Sequence, residues 1–256
     1  MLIDTHCHLD ASEFAETPAE LVANAANVGV RQIIVPSVAR QNFSAVQQIC
    51  AENGGCFPAF GIHPLFTAAA EADDLAILRD YLTTQRPLAL GEIGLDFFVE
   101  NFDAARQEYY FVEQLKLARE FDLPVLLHSR RALDICLKYL RRYPVIGGIA
   151  HAFNGSRQQA DELRKLGFKL GFGGAMTYPR ASHLRELAST LPLSSLVLET
   201  DAPDMPPNFL EKGQPNKPEY LPRIGQVLAD LREVSLLELA EITSQNAVEV
   251  LPLLAS

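Results

Sequence analysis

Several features are missing from this chain of 256 residues, and each absence narrows the reading. There is no basic surplus: 32 acidic against 22 basic residues give a formal net charge of −10. That excludes a protein that grips nucleic acid through a broad basic surface, though not one that holds a phosphate at a small, locally positive site. No run of about 18 apolar residues occurs, so nothing reads as a membrane-spanning helix. No basic-then-apolar leader opens the chain, because Asp4 follows Met1 almost at once. The four cysteines, Cys7, Cys50, Cys56 and Cys136, form no Cys-x-x-Cys pair. The expectation is a cytoplasmic protein with reduced, mostly buried thiols. Low-complexity stretches and long linkers are absent too, which suits one domain over residues 1–256. No Gly-x-Ser-x-Gly elbow is present. Gly171-Phe172-Gly173-Gly174 lacks the Lys-Ser/Thr of a Walker loop, so close backbone approach at a strand end is its expected use.

What is present is a repeated pattern: a short apolar run, a turn, then an amphipathic stretch. Apolar runs at 2–8, 32–36, 56–62, 88–93, 124–128, 145–151, 168–172 and 196–200 predict eight strands, near-continuous in apolar residues as parallel strands covered on both faces are. Helices are predicted at 18–28, 41–53, 72–84, 102–121, 132–142, 156–166, 181–190, 219–231 and 235–251. The first opens behind Thr17, an N-cap, with Pro18 at the first helical position. Eight strands alternating with helices over about 250 residues is the arithmetic of a (β/α)8 TIM barrel. A doubly wound sheet is the rival. It would be expected to carry a Gly-rich phosphate turn after strand one, where this chain has His6-Cys7-His8.

Chemistry-bearing residues fall at predicted strand ends: His6 and His8 on strand one, Glu92 on strand four, His128 on strand five, His151 on strand six and Asp201 after strand eight. In a barrel all six converge on the carboxyl-terminal mouth. Residues i and i+2 on a strand share a face, so His6 and His8 can reach one metal while Cys7 points away and packs. Imidazole with carboxylate suits zinc, iron, manganese or nickel, and carboxylate-rich variants accept magnesium. Glu92 has two oxygens and could bridge two ions, or cap the next loop. Of Glu199 and Asp201, alternation lets one face the mouth, and Asp201 is preferred because Ala202-Pro203 marks the turn. Asp96 and His63 are each balanced between loop structure and substrate contact. Arg130 is a candidate for substrate phosphate oxygens. His183 lies in a helical pattern and is expected to face solvent.

Together, Asp4-Thr5-His6-Cys7-His8, Gly91-Glu92-Ile93-Gly94-Leu95-Asp96, Leu127-His128-Ser129-Arg130, the stretch from His151 to Gly155, and Glu199-Thr200-Asp201-Ala202-Pro203 resemble the TatD family of metal-dependent hydrolases. The match runs in order from residue 2 to about residue 250. Asp201 to Pro206 with Gly213-Gln214-Pro215-Asn216 looks most like the YjjV subgroup. The resemblance implies a TIM barrel, a divalent-metal site and hydrolase activity, several members being deoxyribonucleases that include 3′-exonucleases. It implies that His6, His8 and Asp201 hold one ion, His128 and His151 a second, and that Glu92 bridges them. Where many relatives carry Arg-Asn-x-Pro this chain has Pro215-Asn216-Lys217-Pro218, and Phe97 replaces a common Tyr; both positions are expected where substrate is held.

The expectation is therefore phosphodiester hydrolysis with two divalent ions per chain (Zn, Mg, Mn or Ni), Asp201 and Glu92 taking the catalytic roles and Asp201 accepting a proton from water. DNA or another phosphodiester is the expected substrate, with no membrane and no obligate protein partner. Two rivals stand beside it: hydrolysis of a small cyclic amide, lactone or ester at the same site, and a binding protein whose metal is structural.

Overall fold

A computed structural model describes residues 1–255. Its strands are β1 (Leu2–Asp4), β2 (Val30–Pro36), β3 (Cys56–Phe60), β4 (Ala89–Asp96), β5 (Val125–Arg130), β6 (Gly148–Ala150), β7 (Phe168–Phe172) and β8 (Leu196–Leu198). They pair in parallel in sequence order. The ring closes between its ends: Thr5 N–H donates to Leu198 O at 3.1 Å, Asp201 N–H to His6 O at 2.9 Å and His8 N–H to Ala202 O at 2.8 Å. The result is the TIM barrel.

Among the described residues, nine helices wrap it: α1 (Pro18–Asn27), α2 (Phe43–Glu52), α3 (Asp74–Gln85), α4 (Ala104–Glu120), α5 (Leu133–Arg142), α6 (Arg157–Lys165), α7 (Ser182–Thr190), α8 (Leu221–Arg232) and α9 (Leu236–Val250). Local chemistry starts several of them. Thr17 caps α1 in a reciprocal box with Glu20, with Pro18 in the first turn, and Ser156 with Gln159 does the same for α6. Two apolar layers result. The larger lies between strands and helices. The smaller takes Ile3, Ile34, Ala59, Ala89, Leu126, Ile149 and Val197 from seven strands and adds Ala247, Leu251 and Leu254 from the carboxyl-terminal end of the chain. A packed interior of this kind leaves the opposite, carboxyl-terminal rim free for polar groups.

Candidate metal centre

The strand ends bring the six residues together. β1 ends at Asp4, short of the expected 2–8, but Cys7 bridges Ala202 in parallel beyond it, so His6 and His8 still share a face, with Nε2 atoms 3.3 Å apart. Glu92, 2% exposed, stands in the middle. Its Oε2 faces His6 Nε2 at 3.2 Å and His8 Nε2 at 3.6 Å. Its Oε1 faces His128 Nδ1 and His151 Nε2, both at 2.8 Å. Asp201 Oδ1 lies 3.7 Å from both His6 Nε2 and His8 Nε2. Cys7 is fully buried in the core, as packing requires.

Glu199 also reaches this centre. β8 ends at Leu198 and Asp201 adopts a left-handed backbone (φ 58°), so alternation no longer governs residues 199–201. Glu199 Oε1 accepts from Ala152 N–H and lies 3.8 Å from His151 Nδ1, opposite Asp201 Oδ1 at 4.0 Å. Gly171 makes the room: a Cβ there would stand 2.1 Å from Glu199 Oε2. The close approach expected of the Gly-rich stretch is therefore to this carboxylate.

His63 belongs to the site rather than to its margin. Leu65 N–H donates to His63 Nδ1 at 3.1 Å, so the neutral ring carries its proton on Nε2, 3.5 Å from Glu92 Oε1. Asp96 is buried with both oxygens engaged by the protein: Oδ1 accepts from Phe98 N–H at 2.9 Å and Oδ2 pairs with His128 Nε2 at 3.0 Å. It acts as the loop-fixing group and aims the His128 ring. Arg130 is exposed at the rim, its guanidinium 3.6 Å over the Phe98 ring. His183 is exposed and pairs with Gly155 O at 3.0 Å.

Two positions expected near substrate are not there. Phe97 stacks on Phe102 and packs on the core, and it is the next residue, Phe98, that lines the mouth. Asn216 is buried and donates to Thr200 O at 2.7 Å, while Lys217 pairs with Glu16. That loop braces the β8 exit. Neither displacement carries a local sequence signal, since each depends on how β4 and β8 end.

The electrostatics are those of a cation site. Burial works to raise the Glu92 carboxyl, but His151, His63, His6 and the His128 hydrogen bond outweigh it and hold it well below the usual range. Burial opposes charge on His151 too, yet Glu92, Asp201 and Glu199 carry it up to about 10. Burial pushes His6 down to about 3, His151 adding to the effect, and His63 down to about 4. Burial drives Glu199 up to about 8 and raises Asp201. Among the described residues, no lysine or arginine pairs with Glu92, Glu199 or Asp201. His6 Nδ1, His151 Nδ1 and Glu199 Oε2 are buried without partners. Buried carboxylates require a cation, and neutral imidazoles among them are a metal's ligand type. Three groups have donor atoms within 4.8 Å of one another: His6–Glu92–His151, His6–His8–Asp201 and His63–Glu92–His128. The donor set fits divalent metal. The mouth above it is a cavity of about 970 Å³.

Comparison with known proteins agrees. A family model, TatD related DNase, matches residues 3–252. The chain is 43% identical over 248 residues, 95% of each chain, to an Escherichia coli protein named as the uncharacterized metal-dependent hydrolase YjjV. The crystal structure of that TatD homologue superposes with a TM-score of 0.94 at 40% identity, covering 98% of both chains. A Pantoea protein named as the 3′-5′ ssDNA/RNA exonuclease TatD is 32% identical over 254 residues, 96% of this chain and 97% of its own.

Proposed function

The chain belongs to the TatD family of metal-dependent hydrolases, and from that premise we propose that its mouth hydrolyses phosphodiester bonds in nucleic acid, as an exonuclease, with two divalent ions. One observation carries the reading. Glu92 is a buried carboxylate whose two oxygens face two separate sets of imidazoles, His6 with His8 and His128 with His151. That is the arrangement of a carboxylate shared between two ions. His6, His8 and Asp201 would hold one ion and His128 and His151 the other.

Bound there, divalent metal supplies Lewis-acid activation of water and of phosphoryl oxygen near neutral pH. The protein groups then divide the work. Asp201 takes the proton from the attacking water at its second oxygen, Oδ2, since Oδ1 is the one turned to His6 and His8. Its side chain is 12% exposed, against 3% for Glu92 and 1% for Glu199, so it is the carboxylate that water can reach. His63 offers an N–H, not a lone pair, and so acts as a donor to a substrate oxygen. Arg130, held face-on by Phe98, keeps its N–H edge for a non-bridging phosphate oxygen. Asp96 fixes the ring of His128 by a hydrogen bond, as outer partners of metal-bound histidines do, while Glu199 places its charge 3.8 Å from Nδ1 of His151.

The test is activity of the Mn²⁺- or Mg²⁺-loaded protein on single-stranded oligonucleotides, beside a panel of cyclic amides, lactones and esters. Metal-dependent release of nucleotides is the expected result. Turnover confined to the amides or lactones would overturn the reading.

A further inference from the structure

The mouth is electrically divided across its diameter. In an eight-strand ring in sequence order, β4 and β5 lie opposite β8 and β1. The cations lining the mouth are Arg130 and Arg131, both at the β5 exit. Both guanidiniums sit on one ring, Phe98 from the β4 exit, at 3.6 and 4.6 Å from its centroid. Face stacking of this kind leaves the N–H edges free to grip phosphate. Beside them, after β3, Phe66 is 44% exposed within the same cavity. An exposed aromatic face at a polar rim is a stacking surface for an unpaired base. Across the mouth the charge reverses. Asp10 and Glu13, after β1, and Asp204, after β8, line that side. Asp10 is hydrogen-bonded by Asn42, which leaves its charge intact. Lys217, in the loop that follows β8, is paired with Glu16.

Resting on the phosphodiesterase reading of the metal centre, we propose that a single-stranded nucleic acid enters only over the β3–β5 wall, its phosphates at Arg130 and Arg131 and a base against Phe66. Asp10, Glu13 and Asp204 stop the backbone from continuing over the opposite wall. The side beyond the metal centre therefore accepts a terminal residue and repels a further phosphate. The charge distribution of the rim, rather than a physical stop, makes the protein act on chain ends.

The experiment compares linear and circular single-stranded DNA of the same sequence, using Mn²⁺-loaded protein. Each rate is normalised to the same preparation's hydrolysis of bis(p-nitrophenyl) phosphate, which has no backbone to place. Wild type should degrade the linear strand and leave the circle intact. Glu13→Lys with Asp204→Lys, both exposed positions, should raise normalised cleavage of the circle at least tenfold. Phe98→Ala with Arg131→Ala should lower normalised kcat/KM on the linear strand at least tenfold. A wild type that opens the circle as fast as it degrades the linear strand would overturn the proposal and leave the phosphodiesterase reading standing. So would a charge-reversed variant that still spares the circle. Failure to hydrolyse bis(p-nitrophenyl) phosphate would overturn both.

Discussion

Asp4 links the fold to the site, and its removal has a calculable effect. The carboxylate is fully buried where β1 meets β8. Oδ1 accepts from Thr200 N–H at 2.9 Å and from His6 N–H at 3.3 Å, and Oδ2 accepts from the Thr200 hydroxyl at 2.6 Å. One side chain thus ties the backbone of His6 to the segment that carries Asp201. Asp4→Ala leaves two backbone N–H groups buried without that acceptor, at roughly 1–3 kcal/mol each, or about 2–6 kcal/mol in all. That is a large share of the ~5–15 kcal/mol that holds a domain together. Asp4→Asn is the neutral isostere. Its carbonyl can accept both N–H groups and its amide can donate to Thr200 Oγ1, so below about pH 4, where Asp4 is protonated, it should match wild-type stability. The two also differ with pH. Burial raises Asp4 from 3.8 to about 7 in the folded protein. The proton's contribution is therefore complete below about pH 4 and lost as pH rises through 7, on the order of 4 kcal/mol across that window. In metal-free protein, wild type should lose stability between pH 4 and 7 relative to Asp4→Asn. Urea unfolding over that range checks the sign and size. Asp4→Ala with wild-type stability, or parallel pH profiles for wild type and Asp4→Asn, would refute the reasoning.

Further outcomes follow from the same geometry. Gly171→Ala places a methyl 2.1 Å from Glu199 Oε2, the end of a side chain on a residue only 1% exposed, which must shift. Overpacking of this kind costs about 1–3 kcal/mol, and displacing the carboxylate beside His151 should weaken metal binding roughly 10–100-fold by titration. His128→Ala should abolish turnover while thermal unfolding stays close to wild type; unfolding instead would mark the site as structural. With two rim guanidiniums meeting phosphates, the logarithm of single-strand binding should fall against log salt with a slope of about −0.7 × 2, or roughly −1.4. A slope near that of a protein contacting about 6–10 phosphates would contradict the picture of the rim.

The parts of this molecule written in local chemistry were legible from its sequence. The predicted strand at 168–172 coincides with β7, and Thr17 caps α1 as expected. His6 and His8 converge because a two-residue period puts them on one face. Elsewhere the outcome depended on tertiary approach. Strand six was expected over 145–151 but is confined to Gly148–Ala150. Gly147 and Gly148 take φ of 123° and 159°, and a Cβ on Gly148 would stand 2.0 Å from Val125 O. Strand four runs on to Asp96 because Gly94 admits the β5 backbone, His128 O lying 1.8 Å from where its Cβ would be. Glu199 was set aside by strand alternation that stops at Leu198. His63 was balanced between two roles because its partner, Glu92, lies 29 residues away, and its own backbone neighbour Leu65 decides its tautomer. Phe98 took the place expected of Phe97 because β4 ends two residues earlier, at Asp96.

The most direct test of the central claim is the metal content of the purified protein measured beside its cleavage of single-stranded DNA, for wild type and Glu92→Ala. The shared-carboxylate account predicts about two ions per wild-type chain, and loss of both the second ion and DNA cleavage in the variant. A wild type that binds metal but leaves DNA untouched, or a Glu92→Ala protein that still holds two ions and cleaves, would contradict it.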